Sequence, residues 1–434
     1  MDLALTPARN FSGAVRPPGD KSLSHRCALL AALAEGSSKL SHYATGADCQ
    51  STLACLAALG VGIEHSGPEE VAITGAGLRG LHAPSGPLNA GNSGTTLRML
   101  SGILAAQPFA AEISGDASLC NRPMRRVLQP LRLMGAQAAA APNDRPPLTF
   151  APAGGLHGID YALPVASAQV KSALLLAGLY ATGVTRIVEP QPTRDHTELL
   201  LRHLGVPVEQ AAQPRAVSLA GPVERLAPLG DFRIPGDPSS AAFFLCATAA
   251  IPGADLLVDG ISLNPTRSTL LDVLRRLGAR PEVVSIEEHA GELMGSLHLD
   301  GPEFLTGTRI AGAEAVALID EIPILAVLAT RTREGIEFAD VGELRVKESD
   351  RLAAITHNLR AMGGVCEERP EALFVPGGQK LHGAELPSYG DHRIAMAFAV
   401  AALLASGDSR IQDAGCASIS YPEFYSALEH LVER

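Results

Sequence analysis

The chain has 434 residues, more than one hydrophobic core ordinarily serves, so two or three domains are expected. Its 46% apolar and 19% charged residues fit a folded globular protein. A net charge of −11 argues against a nucleic-acid partner, and the longest apolar stretch, Ala241 to Ile251, is too short to span a bilayer.

The opening Met1-Asp2-Leu3-Ala4-Leu5 is neither basic nor apolar enough for a secretion signal, so a cytoplasmic protein is expected. Seven scattered cysteines with no C-x-x-C pair point to reduced thiols and no zinc site. Cys27 and Cys246 sit in apolar helical patterns and read as packing; Cys120, in a polar loop beside Arg122, is the one candidate reactive thiol.

In chain order, the first element is Pro17-Pro18-Gly19-Asp20-Lys21-Ser22-Leu23-Ser24-His25-Arg26. The prolines disfavour helix before them, Asp20 caps a helix running to Leu33, and Lys21, Ser22 and Arg26 lie in its first turns. Cations there oppose the helix dipole, so they are either solvated surface charges or collectors of a bound anion beside the free N–H groups. Lys21-Ser22 lacks the upstream glycine of a P-loop, and Gly75-Ala76-Gly77-Leu78-Arg79-Gly80 runs into a Pro-rich turn where a dinucleotide site needs a helix.

The same pattern of turn, polar cap, Ala/Leu-rich helix, short strand and second helix recurs six times, at intervals of roughly 70 to 80 residues. The caps read as Asp20, Asn92, Ser167, Asp237, Asp320 and Asp391. The strands read as 39–43, 111–114, 185–188, 255–258, 336–339 and 409–412. The second helices read as 51–59, 125–134, 198–204, 270–277, 349–362 and 423–432. Six α/β subdomains are therefore expected.

Polar groups collect at the helix starts. The second repeat has Gly91-Asn92-Ser93-Gly94-Thr95-Thr96-Leu97-Arg98 and then Arg122-Pro123-Met124-Arg125-Arg126. The third has Ser167, Gln169 and Lys171, then Thr193-Arg194-Asp195-His196. The fifth has Asp320-Glu321 and the block 343–351; the sixth has Asp391-His392-Arg393. An acidic chain that repeats Lys, Arg and His at helix starts is suited to small polyanions. Lys347 and Arg351 would share a helix face if that segment is helical, with Glu348 pairing to Arg351. Asp320 is either an N-cap or a general base held among cations.

These motifs, spread in order over nearly the whole chain, resemble the 5-enolpyruvylshikimate-3-phosphate synthase family of enolpyruvyl transferases. The resemblance implies an α/β fold of two globular domains. Each would hold three repeated subdomains, as an inside-out α/β barrel. The domains are expected at 19–233, and at 1–18 with 234–434, the N-terminal strand returning to the second. It implies transfer of the enolpyruvyl group of phosphoenolpyruvate to the 5-hydroxyl of shikimate 3-phosphate through a tetrahedral adduct. That step lies on the route to chorismate and aromatic amino acids. Lys21, Ser22, Arg26, Ser167, Gln169, Arg194, Asp320 and Lys347 would hold the shikimate phosphate. Lys21, Gly94, Arg122, Gln169, Arg351, His392 and Arg393 would hold phosphoenolpyruvate. Asp320 and Glu348 would move protons, with Lys21 on the phosphate oxygen. No metal or organic cofactor, no nucleic acid and no membrane is implied, and a monomer is expected. The family's inhibitor, glyphosate, would occupy the phosphoenolpyruvate place beside Gly94.

Two positions depart from the family pattern. Ile419 stands before Ser420-Tyr421-Pro422 where many relatives carry a Lys, and Glu343 stands where Asn is frequent. A UDP-N-acetylglucosamine enolpyruvyl transferase would have Lys-Asn at Lys21-Ser22 and a reactive Cys placed otherwise than Cys120. A silent anion-binding relative would not need Lys21, Asp320 and Glu348 together.

Overall fold

The computed structural model describes residues 2–434. They divide into two compact units. The first comprises Gly19–Ile234 together with 289–292; the second comprises 2–18, Pro235–Glu288 and Leu293–Arg434. Among the described residues there are six sheets, three in each unit.

The third repeat shows the plan. Strand Asp160–Ala162 lies parallel to Gly183–Val188, and parallel neighbours need a crossover, here supplied by helix Ala168–Gly178. Helix His196–His203 follows, and then the hairpin of Val208–Ala212 and Arg215–Gly221 adds antiparallel strands. The other repeats vary this order. Two of them borrow a parallel strand from far along the chain: Asp231–Arg233 pairs with Lys39–Ser41, and Asn10–Val15 pairs with Asp255–Val258. Val432 pairs with Phe11 on the other side of that borrowed strand.

Beyond its polar first turns, the first helix of each repeat is mostly apolar and is buried on nearly all sides. Pro238–Ala250 is buried at every residue, and Ala168–Gly178 from Val170 onward. In the first unit Lys21–Leu33, Gly94–Leu104 and Ala168–Gly178 share one core; in the second Pro238–Ala250, Ile322–Ala329 and His392–Leu403 share another. Small residues permit this crowding. A Cβ on Gly102 would lie 2.1 Å from the carbonyl oxygen of Ala173, so these two backbones nearly touch.

Four of the expected caps bond as caps: Asp20 to Leu23 N, Ser167 to Val170 N, Asp237 to Ser239 N and Asp391 to Arg393 N. Two do not. Ser93 rather than Asn92 accepts from Thr96 N, because Asn92 is turned to Asp116 and Arg122. Glu321, not Asp320, occupies the cap position of Ile322–Ala329, and Asp320 faces a group of cations. The first-repeat strand is Glu35–Ser41, earlier than expected, with Tyr43 buried and its hydroxyl donating to Cys49 O at 3.3 Å. Gly75 to Gly80 ends a strand in a turn, and no helix opens there. No helix among the described residues is long and apolar enough to cross a membrane.

Candidate active site

In the first unit the N-terminal turns of the three buried helices meet, linked by side chains. His25 Nδ1 lies 2.7 Å from Thr52 Oγ1, which lies 2.7 Å from Thr96 Oγ1. Arg98 donates to Gln169 Oε1 at 2.6 Å, and Gln169 donates to Thr95 Oγ1 at 2.8 Å. Arg26 is buried and braces three segments: Nε to Thr197 Oγ1, Nη1 to Ser22 O and Nη2 to Ser172 Oγ. Such a planar fork fixes direction as well as charge.

Lys21 is partly exposed and pairs with Asp48 at 2.5 Å. Arg194 donates to Ser22 Oγ at 2.8 Å. Arg122 donates to Asn92 Oδ1 at 2.8 Å and to Ser118 Oγ at 3.2 Å. Gly94 opens its helix between guanidiniums: a Cβ there would lie 2.8 Å from Arg98 Nη1 and 3.4 Å from Arg122 Nη1. Lys21, Ser22, Arg26, Gly94, Arg122, Ser167, Gln169 and Arg194 all belong to this unit. They set hydroxyl, amide and cationic donors around helix N-termini, the chemistry an oxyanion needs.

Buried charge supports the arrangement. The His25 imidazole is held well below its usual 6.5 by burial, and then by the charges of Lys21 and Arg26, so it is neutral. Burial raises Glu198 above the usual carboxyl range, although Lys171 at 2.6 Å works against this. Lys171 therefore sits in a dry pair with Glu198 and Glu189, and does not offer its charge to a ligand.

In the second unit Arg351 is the hub. It is 1% exposed, and it donates Nε to Asp391 Oδ2 at 2.8 Å and Nη2 to Glu348 Oε2 at 2.6 Å. Its Nη1 lies 3.4 Å from Asp320 Oδ1. Burial alone would favour loss of its proton, but Asp391, Glu348 and Asp320 outweigh that and hold the guanidinium firmly charged. Lys347 Nζ lies 3.8 Å from both Asp320 and Glu343, and Arg393 Nη1 donates to Asp320 O at 3.2 Å. Asp391, fully buried, also accepts from Ser349 Oγ at 3.0 Å. Asp320 and Glu348 thus share one guanidinium, yet both keep partial exposure.

The expected helical i, i+4 relation of Lys347 and Arg351 does not hold. A 3-10 turn covers Gly342–Val346, and Asp350 caps a helix that begins only at Arg351. The Glu348–Arg351 pair forms nonetheless, because a 2.6 Å charge-assisted bond does not require helix. His392 is buried at its helix start beside Asp391. Ile419 is half-buried at the end of a 3-10 segment, two residues before Tyr421, whose ring meets Phe244 and Phe424. Cys120 ends the short helix Ala117–Cys120, its Sγ 3.5 Å from Ser114 Oγ.

Sequence reasoning passed over Asp48 as the partner of Lys21, Arg98 as the clamp on Gln169, and Thr197 as the acceptor for Arg26. It read Asp391 as a cap only. Arg98 alone carried a signal, one helical turn after Gly94; the others are long-range partners that spacing does not reveal.

The model of a family described as EPSP synthase (3-phosphoshikimate 1-carboxyvinyltransferase) matches residues 5–428. A 3-phosphoshikimate 1-carboxyvinyltransferase of Solibacter usitatus is 50% identical over 433 residues, covering 100% of each chain. One of Koribacter versatilis is 49% identical, covering 99% of each. The solved EPSP synthase of Acinetobacter baumannii superposes with a TM-score of 0.87 at 38% identity, covering 99% of this chain and 98% of that one.

Proposed function

Since the chain belongs to the EPSP synthase family, we propose that it transfers the enolpyruvyl group of phosphoenolpyruvate to the 5-hydroxyl of shikimate 3-phosphate, releasing phosphate. The observation that carries this beyond anion binding is the pair of partly exposed carboxylates, Asp320 and Glu348, on the buried Arg351. Buried Asp391 already pairs with Arg351, and two further carboxylates that keep access to solvent suit a reaction that needs groups to take and return protons.

Addition moves the 5-hydroxyl proton away, joins that oxygen to the enol carbon, and places a proton on the methylene carbon. Elimination removes a methyl proton and expels phosphate. On this reading Asp320 and Glu348 carry these transfers. Lys21 steadies charge on the departing phosphate oxygen, as preorganised donors do for developing charge.

In the first unit, Lys21, Ser22, Arg26, Ser167, Gln169 and Arg194 serve the shikimate phosphate, and Lys21, Gly94, Arg122 and Gln169 serve phosphoenolpyruvate. In the second, Asp320 and Lys347 serve the former, and Arg351, His392 and Arg393 the latter. Arg26 does so by bracing Ser22 and Ser172, since all three guanidinium nitrogens are engaged within the protein. Glu343, 3.8 Å from Lys347, partly offsets that cation. The enzyme acts as a cytoplasmic monomer without metal or organic cofactor. The test is phosphate release from phosphoenolpyruvate by the purified protein, with and without shikimate 3-phosphate. Release independent of shikimate 3-phosphate, or no release, overturns the reading.

A further inference from the structure

Lys171 stands in the run Ser167-Ala168-Gln169-Val170-Lys171-Ser172, yet its amine is only 1% exposed. It lies 3.1 Å from Glu189 Oε1 and 2.6 Å from Glu198 Oε1, so the cation nearest Gln169 in sequence is spent inside the protein. Glu189 is itself buried, and its Oε1 also accepts from the hydroxyl of Thr193. Thr193 immediately precedes Arg194, which donates to Ser22 Oγ.

The segment between Glu189 and helix His196–His203 has no regular secondary structure. Pro190 and Pro192 bring no N–H group with which to fasten it. At its start Glu189 N donates to Arg215 O at 3.0 Å, and just before Arg194 the hydroxyl of Thr193 ties the loop back to Glu189. A loop held loosely charges its ordering entropy to the ligand, whereas one fixed beforehand does not.

We infer that Glu189 and Thr193 are positioning residues: the buried Lys171–Glu189 pair fixes the loop 189–195 and so presets Arg194 for the phosphate of the substrate. This rests on the assignment of Arg194 to shikimate 3-phosphate made above. Lys171 is then the foundation of the anion site and never touches the anion.

The test is a double-mutant cycle on the full chain. Thr193→Val removes the hydroxyl at nearly constant volume and lies at a half-buried position, so the fold is retained. It should raise KM for shikimate 3-phosphate about three- to tenfold, the scale of one lost hydrogen bond. The kcat and the KM for phosphoenolpyruvate should stay within about twofold, and Thr193→Ser should restore the KM. In an Arg194→Ala background, Thr193→Val should add nothing, because the residue through which it acts is gone. Glu189→Gln, which leaves Lys171 without that charge partner, should move the same KM in the same direction.

An unchanged KM in Thr193→Val, or the same increment with and without Arg194, overturns the inference. So does a Glu189→Gln protein whose melting temperature falls while its KM holds. If wild type releases no phosphate in the presence of shikimate 3-phosphate, the proposed activity fails separately. Positioning is then read from thermal protection by inorganic phosphate, which must be weaker in Thr193→Val than in wild type; equal protection overturns it.

Discussion

Gly94→Ala perturbs one point in the first unit with known surroundings. The added methyl would lie 2.8 Å from Arg98 Nη1, 3.4 Å from Arg98 Cζ and 3.4 Å from Arg122 Nη1. The shortest of these is well inside van der Waals contact, so the end of Arg98 must move, and Arg98 is tied to Gln169 at 2.6 Å. Overpacking of this kind costs about 1–3 kcal/mol, which corresponds to about one to two decades in an equilibrium constant. Side-chain ends yield more cheaply than backbone, so the protein should fold normally. A ligand that fills the space beside Gly94 should then lose the most. The inhibition constant of glyphosate should rise by about one to two decades, and the KM for the shorter phosphoenolpyruvate by less than about tenfold. The assay is phosphate release at varied phosphoenolpyruvate, with and without glyphosate, for both proteins. Arg98→Ala removes the atom nearest the new methyl, so the effect of Gly94→Ala should shrink in that background. Equal inhibition constants for wild type and Gly94→Ala would refute the reasoning, leaving the glycine to serve the turn alone.

Glu348→Gln and Asp320→Asn should each lower kcat by about a hundredfold or more; a kcat near wild type would make either residue only an ion-pair partner of Arg351. Gly102→Ala would press a methyl against the Ala173 backbone at 2.1 Å, which cannot swing aside, so the melting temperature should drop, with a cost of roughly 2 kcal/mol or more. His25 is neutral in the fold, its pKa lowered by burial and by Lys21 and Arg26. The unfolded chain takes up a proton below pH 6.5 and the folded chain does not, so this group removes up to about 1.4 kcal/mol of stability per pH unit as pH falls below that value. Urea titrations at stepped pH should give a shallower dependence for His25→Gln; parallel curves would contradict the assignment.

The periodic features of the sequence were the legible ones. A long Ala/Leu-rich run behind a polar cap reads as a buried helix, and Asp20, Ser167, Asp237 and Asp391 announce theirs in this way. What misled was the choice between adjacent polar residues. Asn92 and Ser93 are both good caps, and the structure gives the role to Ser93 because Asn92 is needed by Arg122 and Asp116. The 343–351 block reads as a helical charge ladder, yet the cap at Asp350 delays the helix and leaves Lys347 outside it. Lys171 shows the deeper limit. By type and place it belongs with the ligand-facing cations, and only the long-range positions of Glu189 and Glu198 remove it from them.

The borrowed strands bear on how the chain is made. A ribosome releases Asn10–Val15 before the first unit, but its neighbour Asp255–Val258 comes about 240 residues later, and Val432, which closes the other side, later still. The first unit has every one of its strands once Asp231–Arg233 has emerged, while the opening segment must wait, extended and unpaired, through all of that synthesis. Domains tend to fold as they appear, and unpaired strand edges are where nascent chains aggregate. A fusion or deletion at the N-terminus should therefore injure the half of the molecule that is translated last.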